Sequence, residues 1–244
     1  MSHKYEPKVL LYSGGFDSFL LRKRLRESLE PLTLLHFNVG VDYSKREQEQ
    51  VRNQIYAPNE DLKINDTFRM ESEANHYVPL RNIYFFLKAF EHAPKVFVGT
   101  TVFDFFRDTN EDILKAVENF MKVYYYNVPK PENWKGFSPE VISPHKDLSK
   151  SEALNLCLEE NVVTEKEISE LISCYAPTTD KGCGKCSACV RKAVALANND
   201  IGIDCFDQDV KPHIEALYKD QLEYMSTFSL FDQWQEEYEK ALDK

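Results

Sequence analysis

The 244-residue sequence predicts an α/β fold, in which a mostly parallel, doubly wound sheet is followed by a helical region rich in cysteine. Short apolar runs alternate with helix-like segments through the first two-thirds of the chain, as in strands joined by crossover helices. Beyond residue 172 this alternation gives way to closely spaced cysteines and then to amphipathic segments. We therefore predict one α/β domain over residues 1–160 and a C-terminal helical region over 161–244.

The predicted strands are short apolar runs, each followed by a polar or helix-forming stretch. They lie at residues 9–12, 32–37, 95–99 and 140–143. The first predicted helix follows residue 18, where apolar residues recur at helical spacing among good helix formers. Later helices are predicted at 44–56, 81–91, 111–125 and 150–159, the last opened by a capping box of Ser149 and Glu152.

Two further amphipathic helices, 212–224 and 230–242, carry apolar residues at helical spacing. We expect them to pack against their own domain, and self-association is the alternative, which would make the chain a homodimer.

Composition and charge exclude several classes of protein. The formal net charge is −10, which opposes general binding to nucleic acid, so the run Arg22-Lys23-Arg24 with Arg26 is interpreted as a solvated helix face. No apolar stretch approaches the roughly 20 residues of a membrane helix, and the first residues lead into no signal-peptide apolar region. The expectation is a cytoplasmic protein without membrane contact.

The segment from Ser13 to Ser18 joins the first strand to the first helix through Gly14 and Gly15. Such a strand-turn-helix directs free backbone N–H groups and a helix N-terminus at an anion. The glycines allow a sharp turn and close approach of phosphate, the serines add hydroxyl donors, and Asp17 can orient a metal ion. The alternative is an ordinary turn whose serines and aspartate cap the helix.

Four of the six cysteines follow a metal-ligand spacing. Cys174, Cys183, Cys186 and Cys189 are separated by eight, two and two residues. Two-residue gaps let sulfurs turn toward one ion, and four thiolates describe a closed, structural zinc site. An iron–sulfur cluster and reactive thiols for sulfur transfer are the alternatives. Cys157 and Cys205 are interpreted as ordinary core or surface thiols.

The segment from Ser13 to Ser18 is not a Walker-type loop, because no Gly-Lys-Ser/Thr follows it. Ser-Gly-Gly-Phe-Asp-Ser instead resembles the PP-loop of the N-type ATP pyrophosphatases. That resemblance implies a Rossmann-like fold of the adenine nucleotide alpha hydrolase type. It also implies attack at the α-phosphate of ATP, with pyrophosphate as the leaving group.

Together with the late cysteine spacing, the loop is similar to the 7-cyano-7-deazaguanine synthase (QueC-like) family. The segments Tyr77–Asn82, Val98–Thr100 with Asp104, and Ser143–Glu152 also resemble family motifs, and Arg191 follows the cysteines as an arginine does there. The resemblance runs from about Lys8 to about Ala197.

The resemblance implies an ATP-dependent carbon–nitrogen ligase of queuosine biosynthesis. It would convert 7-carboxy-7-deazaguanine and ammonia to 7-cyano-7-deazaguanine through adenylylated intermediates, releasing AMP and pyrophosphate. Adenylylation supplies a carboxylate with the leaving group that it otherwise lacks. Zinc on the four cysteines would be structural, and ATP with Mg²⁺ would be a co-substrate.

The resemblance also implies roles for individual residues. The catalytic set is Asp17, Lys150 and Arg81, and the substrate set is Asp104 and Asn82. Adenine is expected at the end of the second strand, against His36 or Phe37. The nucleotide-binding residues are Ser13, Gly14, Gly15, Phe16, Asp17, Ser18 and Phe37.

The substrate-side segments depart from the family pattern. After Asp104 the family continues Tyr-Pro-Asp-Cys-Arg, where this chain has Phe105-Phe106-Arg107-Asp108, and Asn38-Val39-Gly40 replaces Tyr-Gly-Gln after the second strand. These changes favour, as an alternative, transfer of the activated carboxylate to another amine, giving an amide or a protein conjugate. A transfer-RNA thiolase and a zinc-knuckle module with a vestigial loop are the other hypotheses.

Overall fold

The computed structural model describes residues 5–28, 30–40, 44–54, 56–66, 80–103, 109–176 and 181–244. The chain forms two compact units, Met1–Asp147 and Leu148–Lys244. Residues 148–160, predicted as the end of the first domain, belong to the second compact unit.

The first unit contains a five-stranded parallel sheet, in the order β3-β2-β1-β4-β5. Leu10, in the middle of β1, pairs with Leu34 of β2 on one side and with Phe97 of β4 on the other. The predicted α/β fold with a mostly parallel sheet is confirmed. The strands are β1 (Lys8–Leu11), β2 (Leu32–Asn38), β3 (Glu60–Asp66), β4 (Lys95–Phe97) and β5 (Glu140–Ile142).

Four helices cover the two faces of this sheet: α1 (Phe16–Arg26), α2 (Ser44–Asn53), α3 (Arg81–Ala89) and α4 (Glu111–Asn127). Successive strand residues point to opposite faces, so each strand contributes to two cores. The core with α1 and α2 contains Leu10, Tyr12, Leu21, Leu32, Leu34, Val51 and Phe97. The core with α3 and α4 includes Val9, Leu35, Phe37, Phe86, Phe90, Val96, Leu114, Val117, Met121 and Val141.

The strand order places β1 between β2 and β4. The chain therefore builds the sheet outward in one direction from β1 through β3, and then in the other direction through β4 and β5. Parallel sheets bind ligands beyond the carboxyl ends of the strands, where this reversal opens a crevice. The segment from Ser13 to Ser18 lies at that position.

The second unit is helical, with α5 (Lys150–Glu159), α6 (Glu165–Glu170), α7 (Ser187–Asn198), α8 (Lys211–Met225) and α9 (Phe231–Asp243). The central helix is α7, which is buried along most of its length and contacts α5, α8 and α9. The capping box of Ser149 and Glu152 is present, as predicted. None of the described helices is long and apolar enough to cross a membrane.

Candidate phosphate loop and metal centre

The candidate phosphate loop, Ser13 to Ser18, lies in the turn between Leu11, the last residue of β1, and the first turn of α1, which begins at Phe16. Gly15 is the N-cap of α1, in extended conformation, and no side chain caps the helix from this position. The Ser13 and Ser18 hydroxyls lie 3.1 Å apart. Ser13 Oγ accepts a bond from the Gly15 amide (3.2 Å), and Ser18 Oγ donates to the Gly15 carbonyl (3.1 Å). The serines thus brace the turn at the positive end of the α1 dipole.

Gly14 is held against α2. Its φ of +76° lies in the left-handed region, which favours glycine. A Cβ at this position would lie 2.7 Å from Val51 Cγ2, and the Gln50 side-chain amide donates to the Gly14 carbonyl at 2.6 Å. The loop conformation therefore depends on one face of α2 as well as on its own residues.

Gly99 brings the end of β4 against the start of α1. A Cβ at Gly99 would lie 2.8 Å from the Asp17 carbonyl oxygen and 3.0 Å from the Ser18 amide nitrogen. Any larger residue would separate β4 from the loop at the place where the strand order reverses. No role was predicted for Gly99, although a glycine directly after a buried strand is a recognised sign of close backbone approach.

A buried ion pair anchors α1 below the loop. Arg22 is 1 % exposed and donates to both Glu60 carboxylate oxygens at 2.8 Å, from Nε and Nη2. Its Nη1 reaches Gln54 Oε1 (2.8 Å), and its guanidinium lies over the Tyr56 ring. Burial opposes the charge of Glu60, but the bonds from Arg22 dominate and hold the pKa of this carboxyl below its usual range. The interpretation of Arg22 as part of a solvated face was wrong, because the acidic partner lies 38 residues away in β3.

His36 and Phe37 lie at the carboxyl end of β2. His36 is buried, and its Nδ1 lies 3.0 Å from the Tyr12 carbonyl oxygen. Burial lowers the pKa of His36, and its Nε2 has no hydrogen-bond partner among the described residues. Phe37 is 8 % exposed, and its ring stacks on Phe85 at 4.3 Å. The contact of adenine with this strand end stays a prediction.

Arg81 and Asn82 open α3, and the preceding Leu80 is an exposed leucine in the left-handed region, with φ of +61°. A bulky residue in this conformation is strained. The charge of Arg81 acts on Glu47 in the first turn of α2. Burial raises the pKa of Glu47 to about 7 despite the opposing effect of Arg81. Glu47 was not among the predicted site residues, since nothing in the local sequence distinguishes it from the other polar residues of α2.

Two predicted site residues, Asp104 and Lys150, lie outside the described part of the first unit. Asp104 lies outside the described residues. Lys150 is the first residue of α5, in the second unit, where the capping box fixes the helix start. Their roles stay predictions.

The second unit brings the four cysteines of the predicted metal site together. The sulfur atoms of Cys174, Cys183, Cys186 and Cys189 all lie within 4.8 Å of one another. Two of the Sγ–Sγ distances, from Cys183 to Cys189 and from Cys174 to Cys186, are 4.0 Å. Sulfurs bound tetrahedrally to zinc at about 2.3 Å lie about 3.8 Å apart. The cluster therefore fits a zinc-sized ion.

Backbone amides surround these sulfurs. Cys174 Sγ accepts bonds from the amides of Ala176 (3.3 Å) and Cys183 (3.4 Å), and Cys183 Sγ accepts one from Cys186 (3.4 Å). The Cys189 thiol and further amides lower the pKa of Cys186 to about 4, although burial opposes this. Such bonds stabilise thiolates and orient them for a metal.

Lys192 lies close to this cluster and was not predicted as part of it. It is 3 % exposed, and its Nζ donates to the carbonyls of Leu171 (2.6 Å) and Ser169 (3.1 Å). Burial lowers the pKa of Lys192, whereas the nearby Cys205 and Cys189 favour its charged form. A buried cation beside Cys189 would offset part of the negative charge of four metal-bound thiolates.

Comparison with known proteins identifies the family. A family model described as queuosine biosynthesis protein QueC matches residues 57–200, more than half of the chain. The chain belongs to the QueC family. A curated 7-cyano-7-deazaguanine synthase of Leptospira interrogans is 28% identical over 213 residues, covering 75% of this chain and 83% of the relative. One of Marinomonas sp. is 27% identical over 222 residues, covering 79% and 94%.

The family recognised from the motifs is thus confirmed. A solved structure described as a predicted subunit of tRNA methyltransferase from Methanocaldococcus jannaschii covers 84% of this chain and 93% of its own. Its identity is 15% and its TM-score 0.46, too low to bear on fold or function.

Proposed function

We propose that the chain is an ATP-dependent carbon–nitrogen ligase that converts 7-carboxy-7-deazaguanine and ammonia to 7-cyano-7-deazaguanine, with release of AMP and pyrophosphate. One observation carries the proposal. In a chain of the QueC family, a glycine-containing loop braced by two serines and the N-terminus of α1 lie at the carboxyl edge of the sheet, where the strand order reverses. This arrangement suits the pyrophosphate end of ATP.

The proposed catalysis consists of positioning and charge stabilisation. The amides that open α1, with the Ser13 and Ser18 hydroxyls rotated from their partners within the loop, would hold the leaving pyrophosphate at the positive end of the α1 dipole. The substrate carboxylate would then attack the α-phosphate in line. Bound Mg²⁺ would neutralise phosphate charge, and Asp17, in the first turn of α1, is the carboxylate that would hold it.

Ammonia would next displace AMP from the acyl adenylate to give the amide. A second adenylylation, on the amide oxygen, would permit loss of AMP and leave the nitrile. Arg81 and Lys150 are proposed to contact phosphate or the developing charge, and Asn82 and Asp104 to contact the deazapurine. Phe37, the aromatic residue at the end of β2, is proposed to lie near adenine.

The metal on Cys174, Cys183, Cys186 and Cys189 is proposed to be structural zinc. Four thiolates leave a tetrahedral ion with no open position, so this centre supplies stability rather than a catalytic water. We propose a cytoplasmic enzyme with small-molecule substrates and no general affinity for nucleic acid, consistent with its net charge of −10.

A second candidate keeps the carboxylate activation and changes the acceptor. The sequence after Asp104 replaces the proline, cysteine and arginine of the family pattern with Phe105-Phe106-Arg107 and the residues that follow. This observation favours an enzyme that stops at an amide, formed with another amine or with a protein.

Product analysis tests both candidates. The purified protein is incubated with ATP, Mg²⁺, ammonium and 7-carboxy-7-deazaguanine, and the products are identified by mass spectrometry. The nitrile with AMP and pyrophosphate is the expected result. Turnover only with another amine would favour the second candidate, and ADP with orthophosphate would contradict both. Asp17→Asn should abolish pyrophosphate release, whereas Asp61→Asn, on the exposed edge of β3, should not.

A further inference from the structure

We propose that Glu47 accepts the proton that the attacking ammonium ion must lose before nitrogen can attack the acyl adenylate. This assignment rests on the proposed function and adds a catalytic residue to it. Nothing in the loop or the predicted catalytic set supplies such an acceptor, because Arg81 and Lys150 are cations and Asp17 is proposed to bind Mg²⁺.

The position of Glu47 follows from the register of α2. Gln50 and Val51, on one face of this helix, contact Gly14 of the phosphate loop. Glu47 is three and four residues before them, so it lies on the same face, one turn closer to the helix start. Because α2 follows β2, its first turn lies at the carboxyl edge of the sheet. The carboxyl group is therefore on the loop side of α2, near the crevice.

The surroundings of Glu47 differ from those of the other acidic residues nearby. Glu60 is buried against Arg22, and Glu49 is mostly exposed on α2 and pairs with Lys45. Glu47 is half-buried and makes no hydrogen bond or close ion pair with the residues that the structure describes. A half-buried carboxyl group that has no partner within the described part of the chain can exchange a proton with a ligand.

The charged group that faces Glu47 from a neighbouring element is Arg81, at the start of α3. Its own helix contributes Lys45 and Glu49, whose pair lies on the exposed side. Burial raises the pKa of Glu47 to about 7, and Arg81 limits the rise. Both protonation states are then populated near neutral pH, as a general base requires.

The proposed step balances as follows. The Glu47 carboxylate takes one proton from ammonium and becomes a neutral carboxylic acid. The lone pair of the resulting ammonia forms a bond to the acyl carbon, and the bond from that carbon to the adenylate oxygen breaks, with its electron pair leaving on AMP. A second proton then leaves the new nitrogen substituent to solvent, giving the neutral amide.

The test separates the two half-reactions. Carboxylate-dependent exchange of labelled pyrophosphate into ATP reports adenylylation, and product formation with ammonium reports the amination. Glu47→Gln should leave exchange within about twofold of wild type and lower amination about 100-fold, the lower range for loss of a general base. Raising the pH or the ammonium concentration should restore part of the lost amination rate, because more free ammonia is then present. Glu49→Gln is the matched control and should change neither half-reaction.

The outcomes are distinguishable. Equal amination by Glu47→Gln and wild type, with the same pH profile, would overturn the assignment and leave the proposed function intact. Loss of exchange and amination together in folded protein would overturn it too. Absence of exchange in wild type would overturn the proposed function and this assignment with it. Should Glu47→Gln fail to fold, Glu47→Asp, which keeps a carboxylate on a shorter stem, should show reduced amination with normal exchange.

Discussion

The candidate phosphate loop and the four-cysteine cluster are built in opposite ways. The cluster takes all four of its sulfur atoms from residues 174–189, and its chemistry resides in side chains. The loop presents backbone groups, and its shape depends on Gln50 and Val51 of α2 and on Gly99 after β4. Side-chain chemistry in one short segment can be recognised from spacing, whereas backbone chemistry requires the rest of the fold.

The largest predicted effect is that of removing one cysteine from the four-cysteine cluster, which tests whether these four residues alone hold the metal. Cys183→Ser removes one of four ligands, and structural zinc supplies about 10 kcal/mol or more of folding free energy in small zinc domains. We expect loss of bound zinc, measured by elemental analysis, and a lower midpoint of thermal unfolding. Cys205→Ser, outside the cluster, should keep one zinc per chain. Full zinc retention in Cys183→Ser would contradict the four-ligand assignment.

The next effect is that of breaking the buried ion pair between Arg22 and Glu60, which anchors α1 below the loop. Glu60→Gln leaves the Arg22 guanidinium buried without its carboxylate, which should cost about 3–5 kcal/mol of unfolding free energy. Because the pKa of Glu60 is held low, its contribution is present at neutral pH and is lost as pH falls through that value. Urea unfolding of both proteins across the acidic range should show the difference shrinking. A difference that is constant with pH would contradict the ion pair.

A smaller effect tests the loop itself. Gly14→Ala places a Cβ 2.7 Å from Val51 in a left-handed conformation, and should cost about 2–3 kcal/mol. In a double-mutant cycle, Gly14→Ala should cost less in a Val51→Ala background than in the wild type, because the clash is removed but the backbone strain remains. The control is Gly202→Ala, where a Cβ meets only the flexible Asp204 carboxylate. Equal costs for Gly14→Ala and its control would show that α2 does not constrain the loop.

The smallest effect compares left-handed residues. Beside the metal centre this conformation is taken by Gly184, but beside Arg81 it is taken by Leu80. Leu80→Gly should raise the unfolding free energy by about 0.5 kcal/mol, since relief of strain slightly exceeds the entropy cost of glycine. Asn161→Gly should change little, because asparagine tolerates this region. Destabilisation by Leu80→Gly in urea unfolding would contradict strain at this position.

The distinction between features set within one segment and features that need distant residues also explains which parts of the molecule the sequence predicts. Strands with continuous apolar runs, such as β1 and β2, and the capped helix α5 were found because their signals are local. The strand β3 was missed because Glu60, Asp61, Lys63 and Asn65 give it the polarity of a loop, while it pairs with β2 along one edge only. Helix α7 was missed because the spacing of its cysteines dominated the interpretation of that segment.

Within the site, the cysteine cluster was predicted in full. The contributions of Arg22, Glu47 and Gly99 were not assigned, because each depends on a partner far away in the chain. Glu60 is 38 residues from Arg22, and Asp17 is more than 80 residues from Gly99. No periodicity or spacing within one segment carries that information.

The helices α8 and α9 begin after residue 200, where the family match ends. Trp234 and Tyr238 of α9 are nevertheless buried, the Glu237 carboxylate accepts a bond from Ser151 at the start of α5, and its carbonyl accepts one from Asn198 at the end of α7. An expression fragment trimmed to the homologous region would uncover the apolar side of α7 and strip hydrogen-bond partners from two helices. Such a fragment is expected to aggregate, and recombinant work should retain the chain through Lys244.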